Sequence, residues 1–107
     1  MSQASAGTEL KRALRATFVT LGAAVSFESV ASRPWASITF SGERHRLVLA
    51  LPGPGADAAA EAFLDGLAER EFTLKGHVLA DIEAADVARD ADGQVRLTLE
   101  ALTIEEL

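Results

Sequence analysis

Apolar residues near the start of the chain recur at the spacing of one helix face. Leu10, Leu14, Phe18 and Leu21 stand at i, i+4, i+8 and i+11, a stripe with the 3.6-residue period. Arg12, Arg15 and Thr20 fall elsewhere on the wheel, and Val19 is an apolar exception on the far side. Thr8 is placed as the N-cap, with Glu9 in the first turn where the helix dipole favours a carboxylate, and Gly22 ends the helix. The period then drops to two. Ala23, Val25 and Phe27 alternate with Ala24, Ser26 and Glu28, which predicts a first strand over Ala23–Ser29. Ser32-Arg33-Pro34 predicts a break, because proline gives no donor to a ladder and restricts the residue before it. Trp35–Phe40 reads as a second strand and Ser41-Gly42-Glu43-Arg44 as a compact turn. His45–Leu51 is a third strand, apolar on both sides and therefore expected in the middle of a covered sheet.

Pro52-Gly53-Pro54-Gly55 is a loop. A second helix is predicted from Asp57 to about Arg70, with Ala60, Phe63, Leu64 and Leu67 on one face and Glu61, Asp65 and Glu69 opposite. Gly66 weakens it by about 1 kcal/mol relative to alanine. A fourth strand is predicted over His77–Arg89, a hairpin turn at Asp90-Ala91-Asp92-Gly93, and a last strand over Gln94–Glu106. The order α-β-β-β-α-β-β predicts an α+β fold, a mostly antiparallel five-stranded sheet with two helices on one face. Residues 8–107 are expected to form one domain behind a flexible arm, Met1–Gly7. The order of elements resembles that of type III secretion chaperones, a likeness with no shared sequence motif and no functional weight.

A sheet with helices on one side alternates apolar-in and polar-out, and this sequence carries more apolar residues than that rule needs. Leu47, Leu49 and Leu51 share one parity while Val48 has the other. On the fourth strand Leu79 stands opposite to Val78, Ala80, Ile82 and Ala84. On the last, Leu102 and Ile104 are opposite to Val95, Leu97 and Leu99. Val48, Leu79, Leu102 and Ile104 are accordingly the interface candidates. Three accounts fit the surplus: a β-bulge that turns the odd residues inward, a second copy of the chain on the outer face, or an apolar ligand in a concavity there.

Size and charge sharpen this. A chain of 107 residues buries only about 60–70% of its unfolded surface and has marginal stability alone. With no cysteine to form disulfides, oligomerisation is the expected remedy, a homodimer most simply, with another protein partner as an alternative. The missing thiols also exclude cysteine-ligated zinc and iron–sulfur centres and suit a reducing cytoplasm. A net charge of −6 argues against nucleic acid, whose non-specific binding rests on neutralised phosphates. The charge is uneven. Met1–Arg46 holds six basic and three acidic residues, and Leu47–Leu107 holds four basic and thirteen acidic, which suggests oppositely charged halves apposed in the fold or across subunits. Lys11, Arg12 and Arg15 ahead of Ala16–Phe27 have the outline of a secretory signal, but Thr17, Thr20, Gly22 and Ser26 interrupt its apolar stretch. No run approaches the ~20 apolar residues of a membrane span, and no membrane partner is expected.

Candidate chemistry is sparse. His45 and His77 are the histidines, and neither sits in a known motif. His77 and Asp81, four apart on a strand, lie roughly 13 Å apart, too far to share a metal ion. Ser41, Glu43 and His45 diverge on a turn, where a nucleophile and its base must converge. The Pro-Gly loop lacks the residues of a phosphate-binding loop, and Asp90-Ala91-Asp92-Gly93 lacks the twelfth-position glutamate of a calcium loop, which would fall at Ala101. Trp35 suits either a core or an interface. No cofactor is indicated. The sequence thus predicts a non-enzymatic, self-associating binding or adaptor domain that uses one apolar sheet face. The alternative is a small enzyme or apolar-ligand-binding protein with its site at a subunit interface, using His45 or His77 and a carboxylate.

Overall fold

The computed structural model describes residues 4–106. Helix α1 spans Ala6–Thr20 and is capped by Ser5, whose Oγ accepts the Thr8 N–H at 3.2 Å. The cap is thus Ser5 rather than Thr8. The reason is packing: Ala6 and Gly7 are small, buried, and let the first turn lie close to the sheet. A β-carbon at Gly7 would stand 3.4 Å from Ser32 Oγ and 4.0 Å from His45 Nδ1. The expected arm, Met1–Gly7, therefore gives Ala6 and Gly7 to α1, and Met1–Gln3 lie outside the described residues. Further along α1, Glu9 is buried and accepts from the Arg12 guanidinium at 2.9 Å and the Lys75 N–H at 2.9 Å. Arg12 also donates to the Thr73 carbonyl, so one ion pair ties the segment Thr73–Lys75 to the helix. Those bonds, Arg12 first, hold the Glu9 carboxyl below its ordinary range.

The sheet has four strands, not the predicted five: β1 Ser26–Ala36, β2 Ser41–Leu51, β3 His77–Arg89 and β4 Val95–Glu105. Every neighbouring pair is antiparallel, in the order β1-β2-β4-β3. Two predicted strands fuse into β1 because β1 is an edge strand, where a proline is tolerated when its missing donor faces away from the ladder. Pro34 pairs with Glu43 inside that ladder. The turn consequently lies at Ser37–Phe40, closed by the Ser37 N–H on the Phe40 carbonyl at 2.7 Å and by the Phe40 N–H on Ser37 Oγ at 3.1 Å. Ser41–Arg44, expected as a turn, is the start of β2.

Helix α2 spans Ala56–Leu64, shorter than predicted, and ends where Gly66 adopts φ 70° before a single 3₁₀ turn, Leu67–Glu69. Such a left-handed conformation suits glycine. Arg70 donates to the Ala62 and Phe63 carbonyls at 3.0 and 3.5 Å, satisfying acceptors that the helix end leaves open. Both helices lie on one face of the sheet. Leu47, Leu49, Leu51, Val95, Leu97 and Leu99 are fully buried there with Leu10, Leu14, Phe18 and Phe63, and the two phenylalanine rings stack 4.5 Å apart.

Candidate functional site

His45 is buried on the helix-facing side, at 3% exposure, in a chain of hydroxyls. Thr103 Oγ1 donates to the Glu43 carbonyl at 3.4 Å and so accepts from His45 Nε2–H at 2.9 Å. That leaves Nδ1 as the acceptor for the Ser32 hydroxyl at 2.7 Å. The network joins β1, β2 and β4 beneath the first turn of α1. Burial is the main cause that pushes the His45 pKa below its ordinary value, with the neighbouring His77 adding to it and Glu43 opposing it. Ser32 and His45 stand at the distance of a nucleophile and its base, a pairing that the sequence does not signal. The third member is a threonine hydroxyl rather than a carboxylate, and the Ser32 Oγ packs toward Gly7. This is the geometry of a structural bolt.

His77 lies at the start of β3, opposite Glu105 in register, and approaches the Ala4 carbonyl at 3.4 Å. Trp35, Glu43, His77 and Glu105 border an open cavity of about 490 Å³ at this end of the sheet. The Trp35 indole N–H donates to the Thr103 carbonyl at 3.3 Å, across Gly42. Among the described residues no carboxylate hydrogen-bonds either imidazole, and no group of three or more His, Cys, Asp or Glu is placed to hold a metal ion.

Among the described residues no helix covers the other face of the sheet. β2 and β4 pair without a register break, so residues alternate strictly between the faces along both strands. Leu102 and Ile104 therefore point outward with Thr98 and Glu100, and both are half-buried. Val48, opposite Thr98, is also outward and half-buried. Leu79 differs. β3 carries two bulges, between Leu79 and Asp81 and between Ala84 and Asp86. The first bulge reverses the parity, so Leu79 packs against the core with Ile82 while Val78 is left 48% exposed on the outer side. One interface candidate thus sits against the core and three lie on the outer face.

What sequence reading missed is the charge on this outer face. Register puts Arg33 of β1 beside Arg44 of β2, then Leu102 of β4 and Asp81 of β3. The next row is Ala31, Arg46, Glu100 and Glu83, and the row beyond it ends in Asp86. The β1–β2 half is therefore basic, and the β4–β3 half is acidic. Arg46 and Glu100 meet at the seam at 2.6 Å. Arg96 of β4 is the exception to the split. It reaches over β2, at the level of the buried Ala50, to Glu28 in the β1 bulge at 2.6 and 3.0 Å, which lowers the Glu28 pKa. The alternation of Arg44 with Arg46 and of Asp81 with Glu83 was the available signal. A turn assigned at Ser41–Arg44 and the bulges in β3 concealed it.

No family model and no curated protein matches the chain. Among solved structures it is similar to a chain from the "virion of native gene transfer agent (GTA) particle", with a TM-score of 0.62 and 18% identity over 95% of this chain and 96% of that one. At that identity the likeness is one of fold.

Proposed function

We propose that this chain is a structural, non-catalytic subunit of a virion-like protein particle, held there by the outer face of its sheet. The likeness of fold to a virion chain, over 95% of this chain and 96% of that one, carries the reading. The outer face supports it physically. It is a broad surface on a molecule of 46 × 26 × 22 Å, and it combines half-buried Val48, Leu102 and Ile104 with rows of exposed charge. Protein interfaces taken whole are mixed in this way, about as apolar as the rest of a protein surface. A small domain with a single core gains stability from such a neighbour.

The test is to tag the chain in the cell that makes it and fractionate the lysate by sedimentation. A structural subunit travels with a particle of megadalton size and is present in many copies by quantitative mass spectrometry. Recovery solely at the top of the gradient, as a small free protein, overturns the reading.

A further inference from the structure

We infer that the occupant of the outer face is a second copy of this chain, stacked face to face with its strands nearly aligned to those of the first. This rests on the reading of the outer face as a protein interface and adds the partner and its orientation.

The edges of the sheet are guarded against a partner. β1 has Pro34 and a bulge at Glu28, and β3 has two bulges and a row of carboxylates. Prolines, bulges and charges on edge strands oppose the addition of another strand. β2 and β4, which form the middle of the face, carry neither a proline nor a bulge in their mutual pairing.

The charge pattern then selects the partner. Arg33, Arg44 and Arg46 stand on one wall of a shallow trough of about 440 Å³, and Asp81, Glu83 and Glu100 stand on the other. Apart from the Arg46–Glu100 pair, none of these six forms an ion pair among the described residues. A two-fold axis parallel to the strands carries β1 and β2 of one copy over β3 and β4 of the other. Each arginine wall then meets a carboxylate wall, and the contact is made twice, as an isologous interface requires. An axis across the strands would set arginine over arginine, which is repulsive. The favoured arrangement is an aligned sheet sandwich, with strand directions within about 30°. Four strands of about ten residues cover roughly 600 Å² in plan, so two stacked faces approach the ~1,200 Å² at which specific interfaces begin.

The experiment uses analytical ultracentrifugation of the purified chain at micromolar concentration, with two variants that each give both halves of the face the same net sign. R33E/R44E is acidic on both halves, and D81R/E83R is basic on both. All four positions are exposed, and circular dichroism checks that the fold is kept. The wild type is expected to be a dimer that weakens with added salt. Each variant alone is expected to lose at least tenfold in association, an equimolar mixture to recover it as a heterodimer, and the four-fold exchange R33E/R44E/D81R/E83R to recover it as a homodimer. A wild type that stays monomeric overturns the inference and gives the face to a different protein or ligand. So does a dimer indifferent to both variants, or folded variants that fail to recombine. A monomer that still sediments with the particle overturns this inference alone. A dimer that never enters a particle supports it and removes the proposed function.

Discussion

On β2, Leu47, Leu49 and Leu51 face the helices and are fully buried, while Arg44 and Arg46 point the other way and remain exposed. The same split runs along β4, where Val95, Leu97 and Leu99 lie inside and Arg96, Glu100 and Leu102 lie outside. One set of strands thus carries two chemistries. Inside, the leucines of β2 and β4 find their cover within the chain, chiefly from α1 and α2. Outside, leucine, isoleucine and valine sit among charges that are sorted by sign across the sheet. Cover supplied locally makes a residue a matter of folding. Cover left to be supplied makes it a matter of assembly, and substitutions on the two faces should fail in different ways.

The inner face gives the largest effect. Phe63 is fully buried and stacked on Phe18, so Phe63→Ala loses ring contacts and leaves a cavity, at about 3–5 kcal/mol. The urea midpoint should fall sharply, and an unchanged midpoint would mean that α2 is not docked. Gly42 comes next. A β-carbon there would lie 1.9 Å from the Thr103 carbonyl oxygen, so Gly42→Ala has to displace β2 from β4. Roughly 2–3 kcal/mol is expected, and near-UV circular dichroism should report it through Trp35, whose indole is bonded across the same place.

The inner face was also the more legible one. Its signal is repeated, with Leu10, Leu14 and Phe18 at helical spacing and Leu47, Leu49, Leu51, Leu97 and Leu99 at strand spacing, and one misread residue leaves the pattern intact. The outer face depends on register, and register turned on details that the sequence does not fix locally. Pro34 reads as a stop unless β1 is known to be an edge, and that misreading made four strands into five and hid Arg44 in a turn. The bulges in β3 involve alanines, Ala80 and Ala85, which carry no turn chemistry and give no warning. A strict period of two therefore put Leu79 outside and Val78 inside. Arg33, Asp81 and Glu83 are distant in sequence and become one surface only through the strand order β1-β2-β4-β3.

His45 offers a smaller and reversible perturbation of the inner side. Its folded pKa lies below the ordinary 6.5, chiefly through burial, so the unfolded chain binds the proton more tightly than the folded one. The stability it contributes is complete above about pH 6.5 and declines as the pH falls toward the lower folded value. Glu9 and Glu28 are also depressed, from an ordinary 4.5; their contributions are lost only below that, as the pH falls through their folded values. The melting temperature should therefore decline as the pH falls below about 6.5. In His45→Gln that decline should flatten, on a lower baseline because the links to Ser32 and Thr103 are disturbed. A wild-type profile that is level across this window would sink the assignment of His45 as a neutral bolt.

The smallest expected effect on the fold is on the outer face, at Leu102. It pairs with Arg44 on β2 and Asp81 on β3, and the unbroken register of β2 with β4 leaves no bulge to turn it inward. Leu102→Glu should cost the isolated chain under about 1 kcal/mol, as surface substitutions do, since the new carboxylate faces water and has Arg44 beside it. In the stacked pair β4 lies over β2 of the other copy, so the same carboxylate would be stripped of water at the centre of the interface, a penalty that can exceed the attraction of the arginines around it. There the loss should reach the range of an interface hot spot, about 30-fold or more in the dissociation constant. The matched control is Leu99→Glu, one face over, which buries a charge without a partner and should unfold the chain. Size-exclusion chromatography and circular dichroism on these two variants separate assembly from folding. If Leu102→Glu unfolds as Leu99→Glu does, the outer face belongs to the core after all and the contrast between the faces collapses; if it stays folded and comes apart, the contrast stands at single-residue resolution.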